Sequence, residues 1–417
     1  MEHEKLAIHG GTPIKTTPYG TGKRFGEDEV KQLIEALEQN TLFYHQGTKV
    51  KTFLREFNGL YGAKFSVAAS SGTAAIHVAL GAAGVTVGDE VITGPITDQG
   101  TLIGILYQNA IPVFADLDPH TYGLDPASIE SRITPRTKAI VAVHLAGNPC
   151  DMDPILDIAR RYGLKVIEDC AQSYLCRYKG RLAGTIGDYG CFSTNDFKHM
   201  STGDGGIVLV NSGEEADYHR THAFADKNYE RLGSTVVRDL SYLAPNYRMT
   251  ELQGAVGIAQ LKKLAWICDK RNAYGDRLTA GIADLPGIAP HRVQEGNHGT
   301  YWFYMMRVDE STLGCTRDEF SQALRAEGIA NGAGYIKQVV YMQPMFQNKT
   351  AYLGSRFPFE LSGVEYPQGL CPEAEAILRT AIVIPVNEFY SDSDLEETIR
   401  GIRKVALHYS AERNTVA

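Results

Sequence analysis

Short apolar runs alternate with longer amphipathic segments between about residues 65 and 212. The runs are rich in Val, Ile and Ala and have the length of β-strands. The segments between them, such as GTAAIHVALGAAG and MDPILDIARRYG, repeat apolar residues at helical spacing. This alternation indicates an α/β fold with a mostly parallel sheet buried on both faces. The predicted strands cover 65–70, 90–96, 111–117, 138–147, 164–171, 190–194 and 206–211.

The pattern changes after a long amphipathic segment that predicts a helix from about Thr250 to Asn272. Beyond it, YWFYMMRVD and AIVIPV have the character of strands, whereas RDEFSQALRAEG and SDLEETIRGIRKVALHY have that of helices. We therefore expect three parts: an N-terminal arm at 1–25, a large α/β domain at 26–275 and a smaller C-terminal α+β domain at 276–417.

Composition and charge exclude several classes of protein. The 417 residues are 43% hydrophobic and 22% charged, as in ordinary globular proteins. A net charge of −8 without a Lys/Arg run argues against nucleic acid and membranes as partners. The charged N-terminus and the absence of a long apolar stretch predict a cytoplasmic protein. Seven cysteines without a C-x-x-C pair predict reduced thiols and no metal site.

Two motifs lie at predicted strand ends. SSGT, at 70–73, follows a strand and opens a helix, so that backbone N–H groups and hydroxyls there could bind an anion. VIEDCAQS places Asp169 and Gln172 just after apolar strand residues. On its own, each motif also fits a purely structural role, as a tight turn or as a helix N-cap.

A third motif, GCFSTNDFKHMSTGDGG, carries Lys198 between Ser193 and the glycine-rich turn at 203–206. In an apolar setting a lysine loses solvation of its charged form, which lowers its pKa and makes the amine a nucleophile toward an aldehyde. The alternative is a lysine that reaches solvent from a loop. A fourth motif, PNYRMTEL, contains Asn246 and Arg248 and is uninformative alone.

Together these motifs resemble the DegT/StrS sugar aminotransferases, which are fold type I pyridoxal phosphate enzymes. The resemblance also includes VGDEVIT, KAIVAVHLAGNPCDMDPI and GDYGCFST, and it extends from about Phe25 to the last helix. It implies a three-layer large domain with a mostly parallel central sheet and a smaller C-terminal α+β domain. It also implies a homodimer with shared active sites.

The resemblance implies a role for each motif. Lys198 would form the Schiff base and Asp169 would hold the pyridine nitrogen protonated. Gln172 would lie near the ring hydroxyl of the cofactor. The phosphate would be held by Gly72, Thr73 and Ser193, and by Asn246 of the neighbouring subunit.

The implied reaction has two steps. Glutamate or glutamine would leave its amino group on the cofactor as pyridoxamine phosphate, and a keto sugar or keto-cyclitol would then accept it, in amino-sugar or antibiotic biosynthesis. A dehydratase that uses either form of the cofactor on a keto sugar or sugar nucleotide is the alternative. A protein without enzymatic activity, either a cofactor-binding regulator or an inactive homologue, is a third hypothesis, against which the presence of both Lys198 and Asp169 argues.

One position departs from the resemblance. Asp98 stands where relatives usually stack an aromatic residue on the cofactor ring. Its carboxylate could bind a substrate hydroxyl or ammonium, act as an acid or base, or turn away from the ring. Tyr44 and His45 are candidate substrate contacts from the partner subunit. His199 is of interest because some relatives that act as dehydratases have His in place of the lysine.

Overall fold

The computed structural model describes residues 4–227, 229–232, 235–238 and 242–416. Its strands are β1 (Phe65–Ala69), β2 (Glu90–Thr93), β3 (Ile111–Phe114), β4 (Thr137–Val143), β5 (Lys165–Asp169), β6 (Arg177–Tyr178), β7 (Arg181–Leu182), β8 (Tyr189–Ser193), β9 (Gly206–Val210), β10 (Tyr229–Leu232), β11 (Thr235–Arg238), β12 (Ile288–Ala289), β13 (Phe303–Val308), β14 (Gly332–Ala333) and β15 (Ala381–Pro385). Its α-helices are α1 (Glu27–Glu38), α2 (Lys49–Tyr61), α3 (Gly72–Ala82), α4 (Gln99–Tyr107), α5 (Pro126–Ser131), α6 (Met152–Tyr162), α7 (Glu215–Ala225), α8 (Glu251–Ile282), α9 (Glu310–Leu313), α10 (Arg317–Ala326), α11 (Pro344–Gln347), α12 (Pro372–Thr380) and α13 (Asp392–Val416).

A seven-stranded sheet forms the centre of the fold, with the strand order β1-β9-β8-β5-β4-β2-β3. It contains all seven predicted strands, and the predicted mostly parallel sheet is confirmed. Only β9 runs against its neighbours β1 and β8. The loop at 194–205 between β8 and β9 contains no helix that could carry the chain across the sheet, so Ser193 pairs directly with Gly206. This loop carries Lys198.

Helices cover both faces of the sheet, which explains the continuous apolar strands. In β9, Val208 and Val210 pack in one core cluster with α3 and α7, whereas Ile207 and Leu209 pack in another with α2 and α8. Successive strand residues point to opposite faces, so both sets of side chains must be apolar when both faces are buried. This arrangement confirms the predicted α/β fold with a sheet that is buried on both faces.

A second, antiparallel sheet with the order β12-β13-β15-β14 packs with α10 and α13, as predicted for an α+β region. The predicted helix at 250–272 is longer in the structure, where α8 continues to Ile282. The extension is stabilised by burial of Leu278 and Ile282 in the core of the second sheet. The proposed boundary between 26–275 and 276–417 falls inside α8, and the division into domains stays a prediction.

All seven cysteines are buried and none forms a disulfide bond. Among the described helices, none combines the length and the apolar character needed to cross a membrane.

The N-terminal arm is anchored on α13 by a buried cation. Nζ of Lys15 lies 2.6 Å from a carboxylate oxygen of Asp394 and 2.7 Å from one of Glu397. Burial disfavours the ionised form of Asp394, but hydrogen bonds from Lys15 and from the N–H groups of Ser391 and Gly20 outweigh it and lower its pKa to about 2. The arm is therefore held by a charged contact that needs an ionised Asp394.

We expect Lys15→Met to lower the free energy of unfolding by about 3 kcal/mol, because it leaves a buried carboxylate without its cation. The folded pKa of Asp394 lies below its unfolded value, so its contribution is present above about pH 4 and is lost as the pH falls toward 2. Urea unfolding at pH 6 and pH 3 measures the free energy of unfolding of both proteins. The difference in this free energy between wild type and variant should be smaller at pH 3. An equal difference at both pH values would contradict a contact that needs an ionised Asp394.

Candidate active site

One cavity of about 230 Å³ lies beyond the carboxyl ends of β1, β2, β5 and β8. Ligands bind in this position on sheets of this class. Seven residues singled out from the sequence line the cavity: Gly72, Thr73, Asp98, Asp169, Gln172, Ser193 and Lys198. The fold therefore brings three separate motifs and Asp98 to one place.

The wall formed by the SSGT motif is the N-terminus of α3. Oγ of Ser71 caps the helix by accepting a hydrogen bond of 3.0 Å from the N–H of Ala74. The first N–H groups of a helix have no partner within it and attract an anion. A Cβ atom at Gly72 would lie 2.7 Å from Cβ of Ser193 across the cavity wall, so only glycine fits there. The N-terminus of α3 and Ser193 thus form a cradle that suits an anion.

Lys198 lies in the β8–β9 loop and is buried, with 9% of its surface exposed. Burial lowers the pKa of its amine, although the negative charges of Asp169 and Asp98 act in the opposite direction. Nζ lies 3.9 Å from the centre of the Trp302 ring, a cation–π contact. The sequence predicted only a strand around Trp302, since nothing local indicated that this side chain would cover Lys198.

Asp169 ends β5 and is 5% exposed. Burial raises the pKa of its carboxyl, against hydrogen bonds from Thr101 and from the N–H of Ala171 and against the charge of Lys198. Oγ1 of Thr101 donates to Oδ2 at 2.8 Å, and the N–H of Ala171 donates to Oδ1 at 3.1 Å. Thr101 was not identified from the sequence. Its contact with Asp169 depends on where α4 packs.

A buried network fixes the end of β5 next to Asp169. The carboxylate of Glu168 accepts hydrogen bonds from three backbone N–H groups in the loop before β8, at Gly184, Ile186 and Gly187. Nε2 of His144 lies 3.0 Å from a carboxylate oxygen of Glu168, and the backbone N–H of His144 donates to the carbonyl of Asp169. His144, Glu168 and Cys170 lie close enough together to be potential ligands of a metal ion. The Glu168 carboxylate, however, already accepts hydrogen bonds from the three backbone N–H groups. We interpret the cluster as a structural support.

Gln172 is held across the cavity by groups distant in the chain. Its Oε1 accepts a 2.8 Å hydrogen bond from the N–H of Ala146, and its Nε2 donates a 3.1 Å bond to the hydroxyl of Tyr335. Tyr335 in turn stacks on Phe303 with ring centres 4.9 Å apart. The Gln172 side chain is therefore oriented by the loop after β4 and by the C-terminal part of the chain. Tyr335 was also missed by the sequence analysis.

Asp98 is the N-cap of α4, where its Oδ1 accepts a 2.8 Å hydrogen bond from the N–H of Gly100. The side chain also lines a second, more open cavity of about 670 Å³, which shares Lys198 with the first and includes Trp302 and Asn331. Asp98 thus lines both of the cavities that contain Lys198.

The remaining predicted residues lie elsewhere. Nε2 of His45 lies 2.5 Å from Asp226, which also pairs with Arg248 and forms a backbone bridge with Asn246. The hydroxyl of Tyr44 lies 3.3 Å from a ring nitrogen of His222. None of these residues lines the cavity that holds Lys198 of the same chain.

His199 does not line that cavity either. Its Nε2 lies 2.9 Å from the carbonyl oxygen of Thr300, and burial lowers its pKa well below the usual value. It is therefore a neutral side chain held in the core beside the Lys198 loop.

Comparison with known proteins decides the family. The sequence model of the DegT/DnrJ/EryC1/StrS aminotransferase family matches residues 23–403. The chain belongs to this family. The predicted family, the fold type I architecture and the class of enzyme, an aminotransferase, are confirmed.

Relatives in the DegT/DnrJ/EryC1/StrS family match most of the chain. The spore coat polysaccharide biosynthesis protein SpsC of Bacillus subtilis is 34% identical over 91% of this chain and 95% of its own. A putative L-glutamine:3-amino-2,3-dideoxy-scyllo-inosose aminotransferase of Streptoalloteichus tenebrarius is 38% identical over 78% of this chain and 79% of its own. The solved aminotransferase of Psychrobacter cryohalolentis superposes with a TM-score of 0.83 at 29% identity, over 95% of this chain and 100% of that one.

Proposed function

We propose that the enzyme uses pyridoxal phosphate to move an amino group from glutamate or glutamine to a keto sugar or keto-cyclitol. The observation that carries this proposal is the meeting of three groups at one cavity: the buried amine of Lys198, the buried carboxylate of Asp169 and the N-terminus of α3. These groups match the aldehyde, the pyridine nitrogen and the phosphate of the cofactor, respectively.

The residues present fit the cofactor. The first turn of α3 and Ser193 would hold its phosphate, and Gln172 would face its ring hydroxyl. When bound, its protonated ring would withdraw electrons from the carbon that carries the amino group. Asp169 would keep a proton on the ring nitrogen, because a buried carboxylate stabilises a cation beside it. Nζ of Lys198 would join the aldehyde and, once released, would carry the proton to and from the substrate carbon.

The donor and acceptor are inferred from relatives and from the open cavity. Besides the L-glutamine-dependent relative, GDP-perosamine synthase of Caulobacter vibrioides is 36% identical over 73% of this chain. These names support glutamine as donor and a cyclitol or nucleotide-linked sugar as acceptor, hence amino-sugar or antibiotic biosynthesis. The acceptor would enter by the 670 Å³ cavity, where Asp98 would bind its hydroxyl or ammonium group.

We further propose that two copies of the chain complete each other's sites. Tyr44, His45 and Asn246 lie outside the Lys198 cavity of their own chain and would reach that of the partner, the first two toward substrate and Asn246 toward the phosphate. The exposed apolar residues of α1, among them Ile34 and Leu37, support an additional buried contact. Seven buried free thiols accord with the reducing cytoplasm, where we place the enzyme.

The test follows the two half-reactions separately. The protein loaded with pyridoxal phosphate is mixed with glutamate or glutamine, and conversion of the bound cofactor to its amine form is read from its visible absorption. Keto sugars and keto-cyclitols are then added, and return of the original spectrum identifies the acceptor. A loaded protein that no amino donor converts would favour the dehydratase, and a protein that stays colourless with the cofactor would favour a protein without enzymatic activity, such as an inactive homologue.

Asp98→Asn tests the acceptor side in the same assay. For an acceptor that bears an amino group we expect a loss of roughly tenfold in the second half-reaction, because a charged hydrogen bond is removed. The hydroxyl analogue of that acceptor is the matched control. Equal rates for wild type and variant with every acceptor would exclude Asp98 from acceptor binding.

Gly72→Ala tests the phosphate cradle. The added Cβ would collide with the Cβ of Ser193, 2.7 Å away, and narrow the space in front of the first N–H groups of α3. We expect affinity for pyridoxal phosphate to fall by at least roughly tenfold, equivalent to the loss of one charged hydrogen bond. Equilibrium titration measures the change. Pyridoxal without phosphate is the control ligand, and an equal loss of affinity for both would argue against a phosphate cradle.

A further inference from the structure

The N-terminal arm sends one side chain to the backbone of the loop that carries Lys198. Nη1 of Arg24 donates to the carbonyl oxygen of Asp196, and Nη2 donates to that of Lys198 itself. Nη2 also lies 3.4 Å from the carbonyl oxygen of His199. Within the described residues, no carboxylate forms an ion pair with Arg24. The hydrogen bonds described for the guanidinium therefore all go to backbone carbonyls of this loop.

The rest of Arg24 is fixed to the long helix α8. Its own carbonyl oxygen accepts hydrogen bonds from Nε2 of Gln260 at 3.0 Å and from Nζ of Lys263 at 3.2 Å. Gln260 and Lys263 also bond to Glu29 at the start of α1. Arg24 thus connects a rigid element of the fold to an irregular loop.

Other hydrogen bonds also hold the loop, among them those from the N–H of Thr202 to the carbonyl of Thr194 and from Oγ of Ser201 to Oδ1 of Asp196. The carbonyl of Asn195 accepts from the N–H of Lys198 at 2.9 Å, and the carbonyl of Phe197 accepts from Nε1 of Trp302 at 2.7 Å. Outside a helix or sheet, carbonyl groups depend on donors from turns, side chains or solvent. Arg24 supplies donors for the carbonyls of Asp196 and Lys198, on either side of Phe197. Its planar guanidinium has two N–H groups side by side, which suits two acceptors at a fixed separation.

We propose that Arg24 is a positioning residue that sets the approach of Nζ of Lys198 to the cofactor site. The inference rests on the proposed function, since it concerns the bond between that amine and pyridoxal phosphate. A shift of the loop backbone by about 1 Å is enough to cost on the order of 100-fold in a reaction that needs aligned atoms. Arg24 itself does not line the Lys198 cavity, so its effect must be transmitted through the loop.

The experiment compares Arg24→Met and Arg24→Lys with wild type. Pyridoxal phosphate is added to each protein, samples are quenched with borohydride at set times, and the fraction of Lys198 carrying the reduced cofactor is measured by peptide mass spectrometry. We expect attachment at Lys198 to slow by roughly 10- to 100-fold in the Met variant. The Lys variant keeps the charge but not the fork, so we expect its rate to lie between the two.

Lys15→Met is the matched control, because it releases the same arm at its contact with α13 without touching the Lys198 loop. All proteins are compared at a temperature where circular dichroism shows them folded. A second readout is the pH at which the visible absorption of the bound cofactor changes. We expect this pH to move in the Arg24 variants and to stay at the wild-type value in Lys15→Met.

The outcomes separate the inference from the proposed function. Slow attachment in the Arg24 variants with a normal Lys15→Met supports positioning. Wild-type attachment and absorption in Arg24→Met would overturn it, and so would an equal defect in Lys15→Met, which would make Arg24 only an anchor of the arm. If Arg24→Met fails to fold, Arg24→Lys decides by the same criteria. Absence of label on Lys198 in wild type would instead overturn the proposed function.

Discussion

Replacing Lys198 with Ala is expected to abolish turnover. The variant loses the amine that joins the cofactor and the group that moves the substrate proton, and positioned proton transfer alone contributes about 10²–10⁴-fold. Stopped-flow absorption with glutamine measures the first half-reaction. We expect no borohydride-stable label on the variant, because the buried amine in the β8–β9 loop is gone.

Lys165→Ala is the control for the loss of a lysine. Its ammonium pairs with Asp188 at 2.8 Å on the protein surface, away from the cavity, and we expect wild-type rates. A small primary amine added to Lys198→Ala should restore part of the proton transfer. Normal turnover by Lys198→Ala, or label on another lysine of the wild-type protein, would refute the assignment.

Asp169→Asn is expected to slow the first half-reaction by about 10²–10³-fold, comparable to removing one preorganised electrostatic contact at a reacting group. Asn has nearly the same shape, but it lacks the charge that keeps a proton on the ring nitrogen. Attachment of the cofactor to Lys198 should persist, because the amine is unchanged. The measurement therefore combines the rate with borohydride labelling, and only the rate should fall.

Two further variants test this explanation for Asp169. Thr101→Val removes the 2.8 Å hydrogen bond to Oδ2 but leaves the charge, so we expect a smaller loss of roughly tenfold. Asp157→Asn removes an exposed carboxylate on α6 and should have no effect on the rate. A loss in Thr101→Val as large as that in Asp169→Asn would show that geometry, and not charge, is the contribution of Asp169.

The dehydratase hypothesis and the aminotransferase hypothesis differ in what Lys198 must do, and the structure bears on this point. The lysine is buried, its pKa is lowered mainly by desolvation, and Trp302 covers it. Desolvation of the charged form favours release of its proton, so an amine in such a place can accept and return a proton during each cycle. His199 cannot take over that task, because it does not line the cavity and burial makes its imidazole a much weaker base.

Local sequence patterns located the central sheet and one side of the site. Strands buried on both faces have continuous apolar runs, so each of the seven could be found from its own residues. The carboxyl ends of parallel strands meet at one edge, which places Gly72 and Asp169 together once the sheet is predicted. The reversal of β9 was not visible in this pattern, since a buried strand reads the same in either direction.

By itself, the sequence determined the α/β class, the strands and the residues that the family motifs carry, because these depend on periodicity and on short spacings along the chain. Only the tertiary structure decided which side chains complete the site: Trp302 over Lys198, Tyr335 on Gln172, Thr101 on Asp169 and Arg24 on the loop backbone. These contacts join segments far apart in the chain. Their geometry is fixed by how helices and sheets pack, for which no local pattern exists.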